Sequence, residues 1–136
     1  MSQAVVNAFI KALERLERER DLEPMVGLFA ADARVSNLLM PEPAEGQLGA
    51  KSFWAMYRDT FGAITSRFDS VVVDGERAAL EWTATGTGHR GQPIRYRGVS
   101  MLEIAGDRVS RFTAYFDPAD LGAQLGRPLA GRHAEA

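Results

Sequence analysis

The chain has 136 residues, of which 46% are hydrophobic and 25% charged, and it carries a formal net charge of −2. That length suffices for one domain around one core, and without a basic surplus there is no electrostatic footprint of a nucleic-acid binder. Cysteine is absent, which excludes disulfides, thiolate chemistry and cysteine metal sites.

The N-terminal stretch MSQAVVNAFIKALERLERERD is charged and amphipathic and has no apolar h-region. No apolar run approaches the roughly 20 residues of a membrane span, so a cytoplasmic protein without a membrane partner is expected. Residues 4–20 predict a helix, because Val6, Phe9, Ile10, Leu13 and Leu16 recur at three- and four-residue steps. The other face pairs Glu14 with Arg18 and Arg15 with Glu19 at the four-residue spacing of a solvated helix surface. DLEPMVGLFAADA predicts a second, shorter helix, with Asp21 as N-cap and Pro24 in the first turn, where the missing N–H costs nothing. Met25, Val26, Leu28 and Phe29 form its apolar side, and Asp32 follows it at a position that caps or ties the turn. ARVSNLLM reads as a short extended piece and MPEPAEGQLG as a loop. Ala50–Phe61 predicts a third helix, with Phe53, Trp54, Tyr57 and Phe61 at helical spacing.

From Ser66 onward the period changes to two. SRFDSVVV predicts a strand, DGER a turn, and Arg77–Gly88 a long strand in which Leu80, Trp82 and Ala84 alternate with polar residues. HRGQ makes another turn. Pro93–Ile104 predicts a strand with Ile94, Tyr96, Gly98, Ser100, Leu102 and Ile104 on one side, and Arg108–Phe116 completes a meander. Asp117 followed by Pro118 is a strong helix-start signal, so this acid reads as the cap of a short helix over Pro118–Leu125 and needs no chemical role. Helices followed by a run of strands imply an α+β fold. Three N-terminal helices are wrapped by a curved, mostly antiparallel sheet that encloses a cone, and a short C-terminal helix closes it. The domain is expected over residues 1–126, with a flexible tail over 127–136.

RDLEPMVGLFAADARV, LLMPEPAEGQLGAKSFWAMY, RGVSMLEIAGDRVSRF and YFDPADL together resemble the nuclear transport factor 2-like superfamily, also called ketosteroid isomerase-like or SnoaL-like. The resemblance is closest to the limonene-1,2-epoxide hydrolase and SnoaL-like polyketide cyclase groups. The superfamily hosts isomerases, cyclases, hydrolases, dehydratases and plain binding proteins, so it implies the fold far more than the chemistry. By the same matching, the oxyanion tyrosine, general base and protonated acid of the ketosteroid isomerase group would fall on Phe9, Asn37 and Ser100. Phenylalanine cannot donate a hydrogen bond and asparagine cannot take a proton, while enolisation needs both a base and oxyanion donors. The Asp-Arg-Asp triad of the epoxide hydrolase group would fall on Trp82, Ala84 and Ala114, and its tyrosine on Val35. Only its asparagine is kept, at Asn37 in SNLLMPEP.

Strand alternation assigns Leu80, Trp82 and Ala84, then Tyr96, Ser100 and Leu102, then Phe112, Ala114 and Phe116 to the inner face. Trp54, Tyr57 and Phe61 approach from the third helix. The expected ligand-binding residues are Asn37, Trp54, Tyr57, Trp82, Tyr96, Ser100, Phe112 and Phe116, around a small apolar molecule anchored by Asn37, Tyr96 and Ser100. Gly98 and Ala114 leave room. An enzyme with relocated groups, of the isomerase, cyclase or epoxide hydrolase type, is the alternative, with Tyr57, Tyr96 and Asp32 as its candidates. A third reading is a partner domain that uses its open sheet face. That outer face, with Glu81, Thr83, Arg95, Arg97, Met101, Glu103, Thr113 and Tyr115, is where relatives often dimerise, so a homodimer is expected. His89 falls in a hairpin turn and His133 in the tail, and two such histidines make no tetrahedral metal set. GTGHRG lies in a hairpin and is no phosphate loop, so no metal or cofactor is expected.

Overall fold

The computed structural model describes residues 2–126; the expected tail over 127–136, with His133, lies outside the described residues. The first helix, α1 (Ser2–Glu19), buries Val6, Phe9, Leu13 and Leu16, the stripe that the periodicity predicts. Its solvent face holds the ion pairs Arg18–Glu14 at 3.0 Å and Arg15–Glu19 at 3.4 Å. Arg20 ends the helix with a φ of 61° and returns its N–H to the Leu16 carbonyl, the left-handed C-terminal turn usually given to glycine.

The second helix is shorter than the sequence suggests: α2 covers only Glu23–Val26, and strand β1 (Phe29–Asn37) has already begun where the helix was expected to continue. Long-range pairing overrides the local preference here, because β1 lies parallel to the last strand, and Val109 N–H donates to the Leu28 carbonyl just before β1 starts. Two expectations change with it. Asp21 is not the N-cap, a position held by Leu22; its carboxylate instead accepts from Glu23 N–H and pairs with Arg15. Asp32 ties no turn: it sits exposed in β1.

A two-residue strand, β2 (Ala44–Glu45), follows inside the expected loop, and α3 runs Gly46–Thr60. Strands β3 (Ala63–Asp74), β4 (Arg77–Thr87), β5 (Pro93–Ala105) and β6 (Arg108–Phe116) form the meander, and α4 (Pro118–Leu125) closes it. The sheet is six-stranded, in the order β2-β1-β6-β5-β4-β3, with β1 and β6 as its parallel neighbours. It is an α+β cone, curved and unclosed, with α1 and α3 against its inner face. A register shift between Phe68 and Ser70 interrupts the β3–β4 ladder, the kind of irregularity that bends a sheet.

Register sets which side chains meet on that face. Asn37 lies beside Ala114, Ala114 opposite Ser100, and Ser100 opposite Leu80. In the next row toward the closing helix, Trp82 is opposite Gly98 and Gly98 opposite Phe116. Between β1, β6 and α1 the interior is solid: Phe9, Phe29, Trp54 and Phe112 interlock with ring centroids 5.1 to 6.5 Å apart. Among the described residues no helix is long and apolar enough to cross a membrane.

Candidate functional site

Beyond that aromatic plug the cone is hollow, with a cavity of about 430 Å³. All the residues singled out by strand and helix spacing stand in its wall. Asn37 comes from the end of β1, and Trp54 and Tyr57 from successive turns of α3. Trp82 comes from β4, Tyr96 and Ser100 from β5, and Phe112 and Phe116 from β6. The loop after β1 adds Leu39, Met40 and Pro41. Gly98 makes room, as its lack of a side chain suggests, but an indole takes the room: a Cβ there would lie 2.7 Å from the Trp82 ring.

The polar groups of the wall are neutral and mostly donors. Trp82 Nε1 donates to Ser100 Oγ at 2.9 Å, which leaves the serine's own proton for another acceptor. Asn37 Oδ1 accepts from Leu39 N–H at 2.9 Å, so its Nδ2 donors remain. Burial pushes the Tyr96 hydroxyl above its ordinary value and keeps it a neutral donor. Trp54 Nε1 is enclosed and has no hydrogen-bond partner among the described residues. An enclosed N–H without an acceptor costs roughly 1–3 kcal/mol, so this indole is held there by its packing and not by its polar atom.

One acid in this wall was missed by the sequence reading. Glu17, partly buried on α1, accepts from Tyr57 Oη at 2.6 Å, from Ser66 Oγ at 2.6 Å and from Ser66 N–H at 2.8 Å. Burial raises its pKa from the ordinary 4.5, and these hydrogen bonds offset only part of the rise. The same surroundings push the Tyr57 hydroxyl well up, first by burial and then by the nearby Tyr96 and Glu17. A signal existed. Glu17 lies four residues after Leu13 and seven after Ile10, so it continues the apolar stripe of α1, whereas Glu14 and Glu19 lie on the paired, solvated face. Behind Tyr57 a second, smaller crevice of about 200 Å³ opens on the far side, lined by Glu17, Arg18, Arg20 and Arg58. Tyr57 therefore borders both spaces.

The remaining candidates take structural places. Asp117 caps α4, accepting from Ala119 N–H at 3.0 Å and Asp120 N–H at 3.2 Å, with Pro118 in the first turn. His89 is exposed in its turn, with Nε2 2.7 Å from the Asp59 carbonyl oxygen. Among the described residues no cluster of three or more histidine, aspartate and glutamate side chains is placed to hold a metal ion.

A curved sheet wrapped on helices around an apolar hollow defines the class: a cone-fold domain of the nuclear transport factor 2-like kind. The chain matches the SnoaL-like domain family over residues 6–112 and belongs to that family. No curated protein matches it in sequence. Among solved structures it is similar to TerC co-crystallized with polyporic acid, at 16% identity, TM-score 0.80, over 92% of this chain and 98% of that one. It is also similar to a ketosteroid isomerase-like protein from Catenulispora acidiphila in complex with trimethylamine, at 16% identity, TM-score 0.76, over 91% and 93%. An LEH-like epoxide hydrolase of M. tuberculosis aligns at 16% identity, TM-score 0.71, over 93% and 90%. At such identities the likeness is one of fold.

Proposed function

We propose that the protein binds a small, largely apolar molecule bearing acceptor oxygens inside the cone, without the acid–base groups that the isomerase and epoxide hydrolase groups use at the matching positions. The observation that carries this reading is the composition of the hollow: about 430 Å³, walled by aromatic and aliphatic side chains, with Asn37, Tyr96 and Ser100 offering neutral donors. Such a wall binds by excluding water and orients its guest through a few hydrogen bonds. A carbonyl oxygen matches those donors; a bare hydrocarbon leaves them unpaired and a cation repels them.

Thermal shift and calorimetry with 1,4-naphthoquinone and naphthalene test the reading. The quinone is expected to raise the melting temperature more than the hydrocarbon, and Ser100→Ala and Asn37→Ala to reduce its affinity several-fold. If neither compound binds, the reading is wrong. Turnover of terpene epoxides or Δ5-ketosteroids would show that the missing acids had been misplaced in the comparison with relatives. The exposed outer face of the sheet, which carries Tyr115 and Arg97, supports a homodimer as the assembled form, and sedimentation at micromolar concentration checks it.

The second reading, an enzyme with relocated groups, is favoured by one specific observation: the Glu17–Tyr57 pair at the boundary of the hollow.

A further inference from the structure

The wall of the cone is rich in donors, with one exception. Tyr57 gives its proton to Glu17 across 2.6 Å, so toward the hollow its oxygen presents a lone pair. Glu17 Oε2 also takes the Ser66 hydroxyl at 2.6 Å, and Oε1 takes the Ser66 N–H at 2.8 Å. Three donors gathered on one carboxylate hold it still, from an adjacent helix and strand. They also leave the site with a hydrogen-bonded line that runs from the hollow, through a phenol, to an acid that borders a separate crevice.

We propose that Glu17, acting through the Tyr57 hydroxyl, is the proton acceptor of the cone, serving a guest that carries an acidic hydroxyl, a phenol or an enol, at the end that meets Tyr57. The proposal rests on the cone being a binding chamber, and it names the class of guest. The guest O–H donates to Tyr57 Oη. As that proton forms a new O–H bond on Tyr57, the tyrosine's own O–H bond breaks and its proton passes to Glu17 Oε2. The negative charge moves from Glu17 to the guest oxygen. Nothing is oxidised or reduced, and no co-reactant is needed. Tyr57 ends as it began, and the proton on Glu17 then exchanges with water through the crevice without crossing the apolar hollow.

The surroundings fit an acceptor of this kind. Burial is the largest influence on Glu17 and raises its proton affinity above that of an ordinary carboxylate, toward the range where a side chain both takes and returns a proton near neutrality. The groups facing it are few. Glu14 on its own helix adds a further small rise. Arg18 is tied to Glu14, and Arg20 and Arg58 are both tied to Asp59. From β5, Tyr96 approaches as a neutral phenol, and from β3, Arg67 is engaged with Asp69. No neighbouring cation is free to quench the carboxylate among the described residues. Glu17 touches the guest only through Tyr57, so it is a positioning residue and Tyr57 the contact.

The probe is 4-nitrophenol, whose phenolate absorbs in the visible, with 4-nitroanisole as the isostere that lacks the proton. An apolar cavity alone makes a phenol harder to ionise. In the wild type, therefore, a bound phenolate fraction at least about threefold that of free 4-nitrophenol at the same mildly acidic pH marks transfer to a coupled acceptor. The infrared difference spectrum of the same complex is expected to gain a protonated-carboxyl band and lose a carboxylate band; 4-nitroanisole gives neither change. Glu17→Gln and Tyr57→Phe are each expected to return the bound 4-nitrophenol to its neutral spectrum. Because the infrared reading is made on the wild type, a variant that fails to fold leaves the outcome decided. The proposal is overturned if 4-nitroanisole binds while bound 4-nitrophenol stays neutral, or if the phenolate persists unchanged in Glu17→Gln. If neither probe binds, the cone-binding reading falls with it.

Discussion

Two acids, Glu17 and Asp117, both gather backbone and side-chain donors, in two regions that could hardly differ more. Asp117 stands exposed at the start of α4 and bonds N–H groups two and three residues ahead. Glu17 is turned inward from α1 toward partners 40 and 49 residues away. The first is a local device, complete within four residues, and its contribution is that of a cap. The second is assembled only when α1, α3 and β3 come together, and burial has changed its proton affinity. The same side-chain chemistry thus serves local punctuation at one end of the chain and a tertiary site at the other.

The largest expected effect tests the inward acid. Glu17→Ala leaves the Tyr57 hydroxyl and both Ser66 donors without their acceptor and is expected to cost about 3 kcal/mol in urea unfolding. Glu17→Gln keeps an acceptor and should cost less. Its pH dependence sharpens the contrast. The folded-state pKa of Glu17 is raised above the ordinary 4.5, so the folded form holds the proton more tightly than the unfolded chain does. The stability from this group is present in full below 4.5 and is lost as pH rises through the higher folded value. The stability of the wild type relative to Glu17→Gln is therefore expected to fall with rising pH above that point; a flat difference would mean the carboxyl is effectively solvated.

A smaller effect separates the two indoles of the wall. Trp82→Phe removes a bond to Ser100 and leaves that buried hydroxyl short of a partner, with an expected loss of about 1–2 kcal/mol. Asp117→Ala comes next, at about 1 kcal/mol, the usual worth of a side-chain cap; a loss as large as that of Glu17→Ala would erase the distinction between local and tertiary acid. Trp54→Phe is expected to be the mildest, within about 1 kcal/mol, because the donor it removes has no partner among the described residues. Thermal melts of the two tryptophan variants side by side check this order.

Much of the wall was legible in the chain because alternation and helical spacing are rigid geometric rules. Trp82, Ser100, Phe112 and Phe116 face inward because side chains in a strand alternate, and Trp54 and Tyr57 reach the hollow because they lie three apart on α3. The α4 cap was legible for the same reason: Asp117, Pro118 and the apolar residues after them are a local pattern. The second helix was overextended because MVGLFAADA has helix-compatible composition, and nothing within it records that β6 pairs with its second half. Glu17 was passed over because the charges around it on α1 read as a solvated face, although its place on the Leu13 stripe set it apart.

By itself the sequence determined the order of helices and strands, the inward faces of β4, β5 and β6, and the lack of ionisable groups at the positions where relatives keep theirs, since these follow from periodicity and residue identity. Only the tertiary structure decided that the cone is hollow, that Gly98 yields its space to Trp82, and that Glu17 meets Tyr57 and Ser66. Those outcomes depend on distances between segments far apart in the chain, which sheet curvature and packing set and no local pattern encodes.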